Sequence, residues 1–260
     1  MTEYKVSYAP PAGKPLGTNW AFKIGTTVVI PILNLVGKKQ WRGAQNIPKS
    51  GSVIVASNHV SYLDVLFLTH FLYRSGRAPR YIGKEGVFKV PVIGKIVLAA
   101  GQIPVVREGK DAAKALEHAV KTLQAGHLLG VYPEGTLTRD PQGWPMVAKT
   151  GLARLAITTR TQVVPIAQWG SQIVMPTYEK KLKLFPRTPI KILAGAPLDL
   201  SNWYGKENDP VALTEATAFV MRAITDLLEE LRGGKRPSEI FDPHTSTLPR
   251  TGNFKKKKHE

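Results

Sequence analysis

The stretch SNHVSYLD, residues 57–64, places an asparagine, a histidine and an aspartate directly after an apolar run. An imidazole that a carboxylate holds at one nitrogen presents its other nitrogen as a base. Side chains in the first turn of a helix lean toward its N-terminus, so Asp64 would lean back toward the loop that holds His59. Ser61 and Asp64 also form the S-x-x-D pattern of a capping box, and Asn58 can cap as well. A cap does not require His59, so the stretch is compatible with a helix cap alone and with a general base beside its orienting carboxylate.

Other kinds of catalytic site find little support in the sequence. The chain of 260 residues has no cysteine, which excludes disulfides, a thiolate nucleophile and cysteine-ligated zinc. It contains no G-x-S-x-G motif, no H-E-x-x-H motif and no carboxylate cluster that suggests a metal. We therefore expect neither a metal site nor a bound cofactor.

Short apolar strands alternate with helical segments along most of the chain. We predict strands at 53–56, 79–83, 102–107, 127–131, 162–170 and 189–195. Apolar periodicity and glycine stops predict helices at 62–76, 111–126, 151–160 and 209–234. Because each strand is nearly all apolar, both faces of the sheet must be covered. This pattern predicts an α/β fold with a layered mixed sheet covered by helices.

The stretch WAFKIGTTVVIPILNLV at 20–36 is the one candidate for contact with a membrane. It is short for a spanning helix, which needs about 20 apolar residues. Lys23, Pro31 and Asn34 also interrupt it. We predict an N-terminal helical segment that lies in the membrane interface. A buried core helix kinked at Pro31 is the structural alternative.

The charge of the chain is strongly positive. Lysine and arginine number 36 against 19 aspartates and glutamates, a net charge of +17. Such an excess favours contact with nucleic acid, an anionic membrane surface or phosphorylated substrates. A soluble basic protein without such a partner is also compatible with it.

Three further blocks follow Asn58, His59 and Asp64 along the chain. The second block has its motif residues at Lys84, Glu85, Phe88, Pro91, Gly94, Gly101, Ile103, Pro104, Val105 and Arg107. The third is P-E-G-T at Pro133, Glu134, Gly135 and Thr136, and the fourth is Val163, Val164 and Pro165. In this order and spacing, the four blocks resemble the glycerolipid acyltransferase family, the lysophosphatidic acid acyltransferases and their relatives. The resemblance covers roughly residues 40–200.

This resemblance implies an acyltransferase that moves a fatty acyl group from a thioester to lysophosphatidic acid, giving phosphatidic acid in phospholipid synthesis. The thioester would be one of coenzyme A or of acyl carrier protein. His59 would take the proton from the acceptor's hydroxyl while Asp64 holds the imidazole, and no covalent acyl-enzyme is needed. The implied place of action is an anionic membrane surface at the cytoplasmic face of the cell membrane, with no nucleic acid as partner.

The resemblance also suggests residues that bind the substrate phosphate or position the site. A guanidinium at Arg107 and an exposed backbone amide at Gly135 suit a phosphate. Glu134 would repel a phosphate, so we assign it to positioning loops or the acceptor's hydroxyls. The remaining members of the set are Asn58, Lys84, Thr136 and Arg139. Many family members continue P-E-G-T directly with arginine, whereas two residues precede Arg139 here, so it either supplies the same charge or faces solvent.

The domain organisation expected from these features has three parts. Residues 1–40 form a flexible arm and the membrane-interfacial segment, and 41–234 form the acyltransferase domain. Residues 235–260, with the run KKKK at 255–258, form a basic flexible tail.

Alternatives to this function remain at the level of the sequence. The first alternative is an acyltransferase with another acceptor, namely glycerol 3-phosphate, a 2-acylglycerol phosphate or a larger lysophospholipid. A basic nucleic-acid-binding protein explains the charge but neither His59 with Asp64 nor the P-E-G-T block. A catalytically dead membrane scaffold does not account for the intact pair.

Overall fold

The computed structural model describes residues 4, 6–105, 111–179, 181–243 and 245. Two predictions made from the sequence lie outside these residues. One is the predicted phosphate contact at Arg107, and the other is the run KKKK with most of the predicted basic tail.

Within the described residues, seven strands form one mixed sheet in the order β1-β7-β6-β2-β5-β3-β4. Their bounds are β1 Gly37–Arg42, β2 Val53–Ser57, β3 Pro79–Lys84, β4 Ile103–Val105, β5 Leu128–Val131, β6 Val163–Trp169 and β7 Thr188–Ala194. Strands β2 to β6 run parallel to one another. Strand β7 is antiparallel to β6, and β1 is parallel to β7. The predicted mixed sheet is confirmed.

Helices cover both faces of this sheet. Their bounds are α1 Trp20–Val36, α2 Asp64–Arg74, α3 Glu85–Phe88, α4 Ile93–Ala99, α5 Asp111–Gln124, α6 Gly151–Thr159, α7 Ser171–Val174 and α8 Pro210–Arg232. Short 3₁₀ turns lie at Ala44–Asn46 and Ser201–Trp203. Helices α1 and α2 pack on one face, and α5, α6 and α8 pack on the other.

Residues 53–56 of strand β2 are all apolar because both faces of the sheet are covered there. Val53 and Val55 point into the core cluster beneath α1 and α2, whereas Ile54 and Ala56 point into the cluster beneath α5, α6 and α8. All four side chains are buried. Since successive side chains of a strand alternate between faces, a strand with two covered faces has no position that faces solvent.

Helix α1 is continuous through Pro31 and has two different apolar faces. Asn19 begins the helix by accepting a hydrogen bond from the N–H of Phe22, at 2.9 Å. Leu33 and Val36 are buried in the core with α2. The opposite face is apolar and exposed, and its large side chains are Trp20, Ile24, Val28, Ile32 and Leu35. No helix in the described part of the chain has the length and apolarity required to cross a bilayer.

Strand β1 was not predicted from the sequence. It lies at the edge of the sheet and, among the strands of the described residues, pairs only with β7. Lys38, Lys39 and Gln40 are exposed, so this edge strand lacks the apolar pattern that identifies the inner strands. It also runs across the expected domain boundary between residues 40 and 41.

The N-terminal residues are in contact with the sheet domain. The sequence predicts a flexible arm, but Arg80 Nη1 donates to the backbone oxygen of Ser7 at 2.5 Å. The side chain of His127 donates through Nε2 to the backbone oxygen of Ala9 at 2.7 Å. Arg80 and His127 are both buried. The arm is held by its backbone carbonyls, and such contacts leave no pattern in the sequence of the arm.

Candidate active site

The candidate site lies at one edge of the sheet. Four neighbouring strands, β6, β2, β5 and β3, run parallel and end at this edge. His59 follows β2 and Glu134 follows β5, while Lys84 is the last residue of β3. The crevice outside the carboxyl ends of parallel strands is where open α/β sheets bind their ligands. Blocks that are far apart in sequence therefore meet because of strand order.

His59 and Asp64 are in direct contact. His59 Nδ1 lies 2.9 Å from Asp64 Oδ2. Because the carboxylate accepts, Nδ1 carries the proton, and Nε2 keeps a lone pair that can take another. The carboxyl group of Asp64 is fully buried, and the His59 side chain is 15% exposed. The pair has the geometry of a base that is oriented on its buried side and open on the other.

Asp64 also begins helix α2. Its Oδ2 accepts hydrogen bonds from the backbone N–H groups of Val60 at 2.6 Å and Ser61 at 2.8 Å. The N–H of Leu63 is in turn bonded to Ser61 Oγ at 3.3 Å. One carboxylate therefore fixes both the loop before the helix and the imidazole beside it. The N-cap of α2 is Leu63, which makes no side-chain cap hydrogen bond, so the predicted capping box with Ser61 as the cap is wrong. The role of His59 as a base stays a prediction.

A serine that was not predicted from the sequence holds the other oxygen of Asp64. Ser171 Oγ donates to Asp64 Oδ1 from the start of helix α7. The preceding residue, Gly170, has a φ of 108°, and a Cβ there would lie 2.2 Å from the backbone oxygen of Pro189. Only glycine fits this turn, so the turn that aims Ser171 at Asp64 is fixed by the backbone.

Asn58 joins the ends of β2 and β6. Its Nδ2 donates to the backbone oxygen of Gln168 at 3.0 Å, and its Oδ1 accepts from the N–H of Gln168 at 2.9 Å. The side chain of Gln168 donates back to the backbone oxygen of Asn58 at 3.2 Å. Asn58 is fully buried. Since both polar atoms of its amide are engaged, this geometry supports the positioning role rather than phosphate binding.

Glu134 ties the P-E-G-T loop to the loop of His59. Its Oε1 accepts from the backbone N–H of His59 at 3.2 Å, and its Oε2 accepts from that of Met146 at 3.1 Å. Burial raises the pKa of Glu134 to about 8, although these two hydrogen bonds act to lower it. The backbone N–H of Thr138 also donates to the backbone oxygen of His59, at 2.7 Å. The P-E-G-T loop and the residues that follow it thus fix the backbone of His59, the candidate base itself.

An aromatic ring covers His59. The ring of Tyr132, the last residue before P-E-G-T, stacks on the imidazole with 4.1 Å between centroids and 24° between planes. The hydroxyl of Tyr132 accepts from Gln168 Nε2 at 3.3 Å. With Asp64 at one nitrogen and Tyr132 on one face, the imidazole has a single orientation.

The other predicted residues in and after the P-E-G-T block contact Tyr132 or Tyr178. Gly135 has a φ of 71° in a turn closed by its N–H to the backbone oxygen of Tyr132, at 2.9 Å. Thr136 makes a side-chain hydrogen bond with Tyr178, which acts to lower the pKa of that phenol, although burial raises it overall. The guanidinium of Arg139 lies 5.4 Å from the ring centre of Tyr178. Arg139 is buried, so the expectation that it could face solvent is wrong.

Lys84 is the remaining predicted site residue that the structure describes. Lys84 is exposed at the end of β3, where its ammonium can turn toward the crevice.

Among the described residues there is no group of three or more histidine, cysteine, aspartate or glutamate side chains that could hold a metal ion. The expectation that no metal or cofactor is needed stays a prediction.

Comparison with known proteins identifies the family of the chain. Residues 38–169 match the family described as Acyltransferase. The chain is 32% identical, over 54% of its length, to the chloroplastic 1-acyl-sn-glycerol-3-phosphate acyltransferase BAT2 of Brassica napus. It is 30% identical, over 50% of its length, to the 1-acyl-sn-glycerol-3-phosphate acyltransferase of Borreliella burgdorferi. The chain spans 40% and 50% of the length of these two relatives.

A solved structure has a similar fold. The crystal structure of the 1-acyl-sn-glycerophosphate (LPA) acyltransferase PlsC from Thermotoga maritima aligns with a TM-score of 0.59. The alignment covers 83% of this chain and 84% of that chain at 23% sequence identity. At this identity the likeness concerns the fold.

Proposed function

This chain belongs to the acyltransferase family, and we propose that it transfers a fatty acyl group from an acyl thioester to lysophosphatidic acid. The product is phosphatidic acid. The observation that carries the proposal is the contact between His59 Nδ1 and the buried Asp64, at 2.9 Å, with the other side of the imidazole open. The family's relatives named above are acyltransferases of the same acceptor.

His59 acts as the general base in this proposal. Nε2 takes the proton from the free hydroxyl of the acceptor as that oxygen attacks the thioester carbonyl. A C–O bond forms, the C–S bond breaks, and the proton passes from the imidazolium to the departing thiolate. Asp64 keeps the imidazole in the tautomer with a proton on Nδ1 and stabilises the imidazolium between the two transfers. No covalent acyl-enzyme and no resident cofactor take part.

The acceptor's phosphate is assigned to cationic and backbone groups around the crevice. Lys84, Arg107 and Arg139 supply positive charge, and Thr136 supplies a hydroxyl. The N–H of Gly135 is bonded to the backbone oxygen of Tyr132, so the predicted free amide at Gly135 is wrong. Asn58 and Glu134 are positioning residues, since both are buried and bonded to backbone groups. We expect Arg107→Ala to raise the KM for the acceptor with little change in kcat. Wild-type kinetics in that variant would remove Arg107 from the site.

The protein is proposed to act at the cytoplasmic face of the cell membrane. The exposed apolar side chains of α1 suit the interface of a bilayer. The net charge of +17 suits anionic lipid headgroups. The division into an arm and interfacial segment at 1–40, an acyltransferase domain at 41–234 and a basic tail at 235–260 remains part of this proposal.

The test is product formation in detergent. The protein is incubated with lysophosphatidic acid and a long-chain acyl thioester of either coenzyme A or acyl carrier protein. Phosphatidic acid is the expected product, and the better donor identifies the carrier. Glycerol 3-phosphate and larger lysophospholipids are assayed beside it, and a faster reaction with one of them would reassign the acceptor. No acyl transfer with any pair would overturn the proposal.

The nucleic-acid alternative has its own measurement. Binding to DNA that falls steeply with added salt, together with an absence of acyl transfer, would favour it. We expect turnover and only weak DNA binding.

A further inference from the structure

The loop between α7 and β7 exposes large apolar side chains. Residues 181–187, with the sequence KLKLFPR, are all exposed. The side chains of Leu182, Leu184 and Phe185 are 54%, 40% and 65% exposed. Three such residues on one loop make an apolar tip, and a contiguous apolar tip on a protein surface marks an interaction site. We call residues 181–187 the tip loop.

The tip loop carries positive charge between its apolar residues. Lys181 and Lys183 flank Leu182, and Arg187 ends the loop. Burial lowers the pKa of Lys39 on strand β1, and the nearby charges of Arg74 and Arg187 lower it further. All three of these cations are exposed. A cluster of like charges of this kind is relieved by an anionic partner.

The segment that contains the tip loop begins at the candidate active site. The backbone oxygen of Met175 accepts from Ser61 Oγ at 2.8 Å, and Thr177 Oγ1 donates to the backbone oxygen of Val60 at 2.6 Å. Ser61 and Val60 are the residues whose N–H groups bind Asp64. The chain between α7 and the tip loop therefore packs directly on the loop of the base.

The other end of the tip loop is attached to helix α1. Arg187 donates to the backbone oxygens of Asn34 at 2.7 Å and Gly37 at 2.9 Å, at the C-terminal end of the helix. Leu35, which is exposed, lies in the same turn as Asn34. The outward apolar face of α1, defined by Trp20, Ile24, Val28, Ile32 and Leu35, thus leads to the tip loop.

We infer that the tip loop inserts into the surface of a bilayer that contains anionic lipids, where it forms a second anchor beside the outward face of α1. Leucine and phenylalanine enter the boundary between headgroups and acyl chains, while Lys181 and Lys183 reach lipid phosphates. The inference rests on the proposed function for its purpose, which is to bring a lipid acceptor from the membrane to His59.

A bilayer fits the tip loop better than a protein partner does. Charged residues are depleted from the cores of protein interfaces, and lysine is depleted in particular. In the tip loop a lysine stands beside each leucine, so a protein partner would have to bury these ammonium groups. A lipid surface accepts both kinds of side chain at once, because a lysine can extend from the apolar layer to the phosphates.

The absence of cysteine allows a direct test of insertion. Phe185→Cys is labelled with an environment-sensitive fluorophore and mixed with vesicles of phosphatidylcholine alone or with phosphatidylglycerol. Val211→Cys is the matched control, since Val211 is 64% exposed and belongs to α8 on the opposite face of the sheet. We expect the fluorescence of the label at position 185 to shift to the blue and to be quenched by a lipid-borne quencher, whereas the label at position 211 should show neither change. Both effects at position 185 should be stronger with the anionic vesicles.

Two results would overturn the inference. One is a label at position 185 that stays in water while the protein sediments with the vesicles. The other is a blue shift that depends on protein concentration without vesicles, which would assign the tip loop to a second copy of the chain.

A second variant connects insertion to turnover. Leu184→Ser with Phe185→Ser should lower partition into anionic vesicles at least about tenfold, since burial of even one such apolar side chain contributes about that factor. Activity on an acceptor embedded in vesicles should fall with it, whereas activity in detergent should be unchanged. An equal loss of activity in vesicles and in detergent would contradict the inference. If the wild type inserts but makes no product in either format, the proposed function fails and the insertion stands.

Discussion

Ser171 donates its hydroxyl hydrogen to Asp64 Oδ1, the carboxylate oxygen that His59 does not contact. The two residues are 107 positions apart, and Ser171 comes from α7 after strand β6. Asp64 is therefore bound at both oxygens, by the helix start and His59 on one side and by Ser171 on the other. The orientation of the imidazole depends on this serine as well as on the N-H-x4-D block.

The first prediction concerns Ser171→Ala. Loss of the hydroxyl should lower kcat about tenfold with little change in KM, because the carboxylate that positions the base is then held at Oδ2 and has lost its donor at Oδ1. The acid limb of the pH–rate profile should move to higher pH, since a carboxylate that has lost a donor holds a protonated imidazole more strongly. Steady-state kinetics across a pH series measures both effects.

A matched control exists for this variant. Thr217→Ala on α8 also removes a buried hydroxyl, one that donates to a backbone oxygen at 2.7 Å. It should change stability without moving the pH profile. If Ser171→Ala behaves like Thr217→Ala, the serine is only part of the core.

A second prediction concerns Asn58→Asp. The substitution preserves shape but places a carboxylate oxygen against the backbone oxygen of Gln168. We expect the free energy of unfolding to fall by about 1–3 kcal/mol at neutral pH, the usual cost of an unpaired buried group. Because burial raises the pKa of such a carboxyl, the loss should shrink as the pH is lowered and the protonated group donates again.

Urea unfolding of wild type and Asn58→Asp at several pH values makes this measurement. A deficit that does not depend on pH would contradict the proposed hydrogen bond between the two strand ends. An Asn58→Asp variant whose free energy of unfolding at neutral pH equals that of the wild type would contradict it too.

The third prediction concerns the pH dependence that Glu134 gives to stability. The pKa of Glu134 is raised from its ordinary value of 4.5 to about 8 by burial. The unfolded chain loses this proton at lower pH than the folded protein does. The contribution of Glu134 to stability is therefore complete below pH 4.5 and falls as pH rises toward 8.

Glu134→Gln tests this dependence because glutamine does not titrate. The variant should be less stable than wild type at low pH, since its amide cannot accept from both His59 and Met146. The difference between the two proteins should narrow as pH rises from 4.5 to 8. A difference that stays constant over this range would contradict the raised pKa of Glu134, because a carboxyl that is ionised in both the folded and the unfolded state gives no pH dependence.

Much of the fold could be predicted because runs of consecutive apolar residues mark the inner strands β2, β5 and β6. All six predicted strands are present, and their helical connections follow from periodicity. Strand β1 was missed, since an edge strand with three consecutive exposed polar residues looks like a loop. Its pairing partner, β7, lies about 150 positions later, and no local pattern specifies such a pairing.

The candidate site was predictable only in part. Motif spacing identified His59, Asp64 and Glu134, which the fold brings together. Ser171 and Gln168 belong to no motif, and their roles depend on β6 being the neighbour of β2. A polar residue just after a predicted strand was the available signal, but strand order was needed to use it. The burial of Arg139 likewise depends on Tyr178, which lies on a distant segment.

The most direct test of the central claim compares wild type with His59→Ala. Both proteins are purified in detergent, shown to unfold at similar temperatures, and assayed for acyl transfer from a long-chain acyl-CoA to lysophosphatidic acid. We predict that the variant stays folded and loses about 10²–10⁴-fold in rate, as expected for removal of a general base. Phosphatidic acid formed by His59→Ala at the wild-type rate would contradict the assignment of His59 as the base.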